Sequence, residues 1–269
     1  SIKTYLLEKI RVIQQNNNER NFHIFYQLLQ SNLKQKYLLK NIDDYKILNN
    51  GYIELEYESD HNNFIDILKA FDIMNFDQSE VDDIFNLLSI ILNLGNLNFT
   101  SNNDISCLHK NEYLDTVLLL SGWKYADINT FMCHEYIKIG NEIIKKNLTI
   151  QTSEVKLHTF MQDIYESLFN FIIDKINVNL KIEENDTYNF IGILDIFGFE
   201  IFDNNNLEQL HINYTNEYLQ QIFNKNIFKT EQDEYIKEDI NYKLIDFIDN
   251  IDRLHSVHKI FKYVDEECF

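Results

Sequence analysis

The segment Asp195-Ile196-Phe197-Gly198-Phe199-Glu200 places two carboxylates around one glycine. It follows an apolar run, Tyr188-Asn189-Phe190-Ile191-Gly192-Ile193-Leu194, of the kind that forms a strand buried on both faces. Ligands of α/β sheets bind at the carboxyl ends of such strands. An acid there can order the water shell of Mg²⁺. A glycine lets a backbone N–H approach a phosphate. A second acid can pair with a cation elsewhere and latch the loop. The pattern therefore suits the sensing of nucleotide phosphates. By spacing alone it suits an ordinary loop better, with Asp195 capping a turn and Glu200 solvated.

Other reactive residue types form no comparable constellation. His23, His61, His109, His134, His158, His211, His255 and His258 show no ligand spacing, and His255 and His258 read as solvated. No Ser/His/Asp or Cys/His arrangement and no GxxxxGK[ST] occurs. Cys107, Cys133 and Cys268 lie far apart without a CxxC, which reads as free thiols in a reducing compartment, by default the cytosol. The balance of 24 Lys+Arg against 43 Asp+Glu gives a net charge of −19. That argues against nucleic acid as the main partner, because phosphate contacts need clustered cations. The longest apolar runs, such as Val117–Leu120, are far too short for a membrane span. Asn is abundant and Pro absent. This looks like a coding bias, so Asn runs carry little functional weight.

The elements that must position the loop are mostly helical. Ile2–Leu7 reads as a short strand and 21–30 as a buried helix. Phe64, Ile67, Leu68, Phe71 and Met74 follow helical spacing. Another helix opens at Ser79 as N-cap and ends near Gly95 as a C′ residue. A polar loop is expected over 98–110, then short helices over 112–120 and 125–133. Residues 135–146 read as a β-hairpin or extended loop around Gly140-Asn141. A long helix is expected over 148–180, then the buried strand over 188–195, then a second long helix over 207–234. The 269 residues (32.3 kDa) can form one large domain or two ordinary ones. The chain opens without Met, as a piece of a longer protein would.

The wider sequence sharpens the reading. Residues 191–235, IGILDIFGFEIFDNNNLEQLHINYTNEYLQQIFNKNIFKTEQDEY, closely resemble the switch II segment and relay helix of the myosin motor domain. Tyr5-Leu6-Leu7-Glu8-Lys9 and Glu19-Arg20-Asn21-Phe22-His23-Ile24-Phe25-Tyr26 resemble the family's strand and helix after switch I. Leu92-Asn93-Leu94-Gly95-Asn96 resembles its HLGN helix end. Leu168-Phe169-Asn170 resembles the helix before switch II, and Asp265-Glu266-Glu267-Cys268 a motif of the lower region. The blocks stand in family order over essentially the whole chain.

The resemblance implies an α/β, mostly helical segment of a P-loop NTPase-type myosin head, with one central-sheet strand leading into switch II. Residues 1–187 would be upper 50-kDa-like. Residues 188–269 would carry switch II, the relay helix and the start of the lower 50-kDa-like region. The implied function is an actin-based motor driven by ATP and Mg²⁺, cytoplasmic and on the actin cytoskeleton. A light chain or calmodulin would bind a helix further downstream. The alternative is a degenerate relative that binds actin or another partner without ATPase activity. The slice holds neither P-loop nor switch I and is expected to be inactive alone.

Site roles follow from the same resemblance. Asp195 would act on Mg²⁺ through water. Gly198 would donate its N–H to the γ-phosphate, and Glu200 would pair with the switch I Arg. Phe197, Phe199, Asn216, Phe223 and Phe228 would couple nucleotide state to the relay helix. Lys138, Gly140, Asn141, Glu142 and Lys145 would lie in the actin-binding loop, where the fixed charge of Glu142 would stand in for a phosphorylated residue. Ile222 and Tyr242 replace a Phe and a Trp that the family often carries.

Overall fold

The computed structural model describes residues 1–5, 7–15, 19–48, 55, 58–102, 105–140, 142–180, 191–196, 198–202, 205–243 and 249–267. The chain divides into two compact units, Ser1–Asp186 and Thr187–Phe269.

The first unit is built on a helix, α3 (Gln78–Leu94), whose apolar residues recur at 81, 84, 85, 88, 91 and 92. That spacing sets them on one face, and all are buried. Its start differs from the expected Ser79 cap. Asp77 is the N-cap: its Oδ1 accepts from the Glu80 N–H at 2.9 Å, and Glu80 Oε2 accepts from the Asp77 N–H at 2.9 Å. This reciprocal box satisfies two orphan helix donors, which a serine two residues further on cannot do. Beside α3 stand α1 (His23–Leu29), α2 (Asp60–Ile73), α4 (Glu112–Ser121) and the 30-residue α6 (Ile150–Asn179), and α5 (Tyr125–Cys133) packs on α6. Asn111 caps α4 and Thr149 caps α6, each accepting a first-turn N–H.

Gly95 ends α3, but not as a left-handed C′ residue; its φ is −59°. What it provides is room, since a Cβ would come within 2.7 Å of the Ile47 Cγ2 methyl. Gly95→Ala is therefore expected to overpack this corner. The loss of stability should be about 1–3 kcal/mol, read from the urea midpoint.

Buried amides tie the short segments to this core. Asn21 Nδ2 donates to the carbonyls of Val12 and Ile47, both at 3.0 Å. Asn96 Oδ1 accepts from the Lys46 N–H at 2.9 Å. The ring of Tyr165 on α6 stacks on Phe22 at 4.4 Å.

Two antiparallel hairpins complete the unit. β1 (Phe99–Asn102) pairs with β2 (Ile105–Leu108), Thr100 opposite Cys107. This corrects the expected polar loop. The strands are short, and only one side of β2 carries buried residues, so the apolar alternation is too brief to read. β3 (His134–Ile139) pairs with β4 (Glu142–Asn147), as a hairpin around residues 140–141 requires. Ile2–Tyr5 is exposed and forms no strand.

The second unit holds α7 (Leu207–Phe223), a π-helical turn (Asn224–Thr230), α8 (Glu231–Lys237) and α9 (Ile251–Glu267). The first three run on without a break, so one long helix crosses the expected 207–234 span. The expected strand does not form over its described part. Residues 191–196 are exposed, Ile191 by 97% and Ile193 by 95%. A strand needs a hydrogen-bonded neighbour, and no described segment pairs with this one. Residues 188–190 lie outside the described residues. The chain is mostly helical with small sheets. Among the described residues no helix is long and apolar enough to cross a membrane.

Candidate functional site

The loop after residue 195 is held to one stripe of α7. Gln209, Asn213 and Asn216 recur at i, i+4 and i+7, so all three face the same way. Asn213 makes a two-point amide clamp on Glu200. Its Oδ1 accepts from the Glu200 N–H and its Nδ2 donates to the Glu200 carbonyl, both at 2.7 Å. Asn216 Nδ2 donates to the Gly198 carbonyl at 3.0 Å and to the Ile212 carbonyl of its own helix at 3.1 Å. Buried Gln209 closes the N-terminal end. Its Oε1 accepts from the Asn206 N–H at 2.9 Å, and its Nε2 donates to Glu200 Oε2 at 3.4 Å.

The arrangement fixes the backbone of Gly198 and Glu200 to a rigid helix. It leaves the front of the loop open. A Cβ at Gly198 would meet nothing within 4 Å, and among the described residues the Gly198 N–H has no acceptor. Asp195 is exposed and Glu200 half-buried. Phe199 and Glu200 border a hollow of about 660 Å³ with Asn213 and Leu210. Phe197 lies outside the described residues. Among the described residues no three His, Cys, Asp or Glu converge as a ligand set.

Further along the helix, Phe223 and Phe228 meet edge to face at 6.1 Å across the start of the π-turn. Across α7, Tyr214 and His211 receive Phe261 of α9 at 5.2 and 4.7 Å, and Asn250 Nδ2 donates to Glu217 at 3.2 Å. Burial pushes the Tyr214 phenol above its ordinary value, with Tyr218 adding to the shift.

The β3–β4 hairpin is a separate candidate surface. Its register puts Lys138 opposite Ile143 and Tyr136 opposite Lys145, so both lysines share one exposed face. Glu142, opposite Ile139, belongs to the other face. Gly140 takes φ +61°, which a side chain would disfavour. Asn141 lies outside the described residues. Glu135 and Lys146 approach to 4.0 Å, whereas Lys138 and Lys145 make no ion pair among the described residues.

Sequence reading singled out Asn216 but not Gln209 or Asn213. The signal was present as an amide stripe at i, i+4, i+7, but Asn is so frequent in this chain that it did not stand out.

The profile of the family described as Myosin head (motor domain) matches residues 1–269. Myosin-1 of Saccharomyces cerevisiae is 39% identical over 280 residues, covering 99% of this chain and 14% of that protein. The non-muscle myosin heavy chain of Drosophila melanogaster is 37% identical, covering 100% of this chain and 14% of that protein. Myosin-J heavy chain of Dictyostelium discoideum is 40% identical, covering 99% of this chain and 12% of that protein. The chain thus spans about one seventh of the length of these relatives.

Proposed function

The chain belongs to the myosin head (motor domain) family, and from that premise we propose that it is the nucleotide-sensing and relay part of an actin-based, ATP-hydrolysing motor. In this reading 195–200 is switch II and α7 to α8 is the relay helix. Mg²⁺ supplies charge neutralisation of the phosphates when bound. Asp195 holds it through water. The Gly198 N–H, open to approach, donates to the terminal phosphate. Glu200 pairs with a cation supplied by another part of the protein. Catalysis consists of positioning and charge stabilisation, with no covalent step on this chain.

What supports the reading is the amide stripe of Gln209, Asn213 and Asn216. A movement of Gly198 or Glu200 on phosphate release must pull on α7, because both backbones are hydrogen-bonded to it. A loop that senses a bound phosphate and passes a displacement to a rigid helix is a conformational switch. The π-turn with Phe223 and Phe228 gives that helix a point at which to bend. The β3–β4 hairpin, with Lys138 and Lys145 on one face, is the actin contact. Light chain or calmodulin binding belongs to a downstream helix. The place of action is the cytoplasmic actin cytoskeleton.

The test is actin-activated Mg-ATPase and filament gliding by the full-length protein, beside an Asn213→Ala/Asn216→Ala double variant. The double variant should keep most of its basal hydrolysis and lose filament gliding about a hundredfold, since three hydrogen bonds worth roughly 1 kcal/mol each couple the two. A wild-type protein without ATPase activity leaves only a binding role. A double variant that glides normally removes the amide stripe from the coupling.

A further inference from the structure

An open groove of about 510 Å³ runs between α3 and α6, on the first unit. The two helices are antiparallel there. Lys175 near the end of α6 bridges to Glu80 near the start of α3 at 2.6 Å, while Gly95 at the other end of α3 lies beside Met161. The floor is apolar: Ile84, Leu87, Phe160, Ile164, Leu168 and Phe171. These residues recur at three- and four-residue intervals, so each helix presents a continuous ridge. On α6 the stripe from 160 to 171 is about 16 Å long.

The groove continues into exposed aromatic surface. The Phe160 ring meets Phe131 at 5.0 Å and Trp123 at 5.9 Å, and these two remain 45% and 38% exposed. Lys156 sits over Phe131 at 4.6 Å and donates to the His134 carbonyl. The remaining charge in the groove is negative. Glu80 is neutralised by Lys175, but Asp83 and Asp163 are exposed, with no hydrogen bond or ion pair among the described residues.

We propose that this groove docks a basic amphipathic helix of a partner protein. Two antiparallel helices leave a channel that a third helix fills by ridges into grooves. Nothing in the channel offers a free strand edge, so an extended peptide gains no backbone hydrogen bonds. About three turns of helix match the length of the stripe. Apolar residues on one face of the partner cover Leu87, Ile164 and Phe171. Lys or Arg residues flanking that face meet Asp83 and Asp163, and the chain's charge of −19 favours the encounter. The inference does not rest on the motor reading, since no switch II or hairpin residue lines the groove.

The experiment uses the full-length protein and a fluorescein-labelled peptide of about 14 residues, with Leu at i, i+3, i+4 and i+7 and Lys elsewhere. Its Glu-for-Lys counterpart is the control. Anisotropy should rise to saturation with the Lys peptide and stay flat with the Glu peptide. An Asp83→Lys/Asp163→Lys variant should bind about tenfold more weakly. Asp72→Lys, at an exposed acid of α2 that does not line the groove, should bind as wild type does. Photo-crosslinking of the Lys peptide to the unmodified protein should label α3 and α6. Absence of binding overturns the proposal, as does equal weakening by Asp72→Lys or crosslinks elsewhere, because binding would then follow general charge alone.

Discussion

Asp60→Ala is expected to lower the stability of the first unit by about 3–5 kcal/mol, a large share of the roughly 5–15 kcal/mol that holds a typical domain together. Arg20 Nη2 donates to both carboxylate oxygens of Asp60, at 2.9 and 2.7 Å. The two side chains are 6% and 2% exposed, so neither charge reaches bulk water. The guanidinium also lies over the Tyr26 ring at 4.1 Å. A buried Lys can shed its proton, but a guanidinium cannot at accessible pH. Removal of the carboxylate therefore takes a bidentate partner from a buried fixed charge, at a junction that joins the chain before α1 to the first turn of α2. The Arg20→Leu/Asp60→Leu double variant should recover much of the loss, because an apolar pair of similar size carries no desolvation cost. Urea unfolding of wild type, single and double variants measures both effects. A single variant as stable as wild type would show that water reaches the pair after all.

The helices were legible in the sequence because burial imposes a period. α3, α6 and α7 each repeat apolar residues at three- and four-residue intervals, and nothing in their composition competes with that signal. The β3–β4 hairpin was legible for another reason: Gly140 marks the turn between two alternating runs. The β1–β2 hairpin was hidden, since four-residue strands reading Phe-Thr-Ser-Asn and Ile-Ser-Cys-Leu carry almost no hydrophobic alternation. The apolar run before Asp195 shows the opposite failure. Its composition suits burial on two faces, but pairing is a property of the neighbour, and no described neighbour pairs with it. Gly95 looked like a helix stop and is a point of close approach to Ile47, which depends on a residue 48 positions away (95 − 47). In the candidate site, Asp195, Gly198 and Glu200 were legible as two carboxylates around a glycine after an apolar run. Gln209 and Asn213, which also fix the loop, were not, because they act through a helical face and an abundance of Asn conceals Asn213.

Gly198→Ala is expected to cut ATP hydrolysis by the full-length protein about 10²–10³-fold while leaving the fold unchanged. The two halves of this expectation have separate causes. In the structure a Cβ at Gly198 meets no atom within 4 Å, and its backbone is not in the left-handed region. Folding therefore has no reason to discriminate against Ala beyond a small propensity term, which favours Ala if anything. The proposed chemistry does discriminate. Donation from the Gly198 N–H requires the phosphate to approach the backbone, and a methyl group on the next atom crowds that approach. One lost donor to a developing charge costs about 3–4 kcal/mol of barrier, which is the factor given. Asn216 sharpens the argument, because its bond to the Gly198 carbonyl keeps the loop from backing away to make room. Single-turnover hydrolysis separates this step from nucleotide binding and product release. In the proposed reading nucleotide binding should weaken little, since Gly198 would supply one phosphate contact among others. Asp72→Ala, at an exposed acid of the first unit, serves as the comparison and should hydrolyse at the wild-type rate. A Gly198→Ala protein that hydrolyses ATP normally would mean that no phosphate comes near this loop, and the switch II assignment would fall with it.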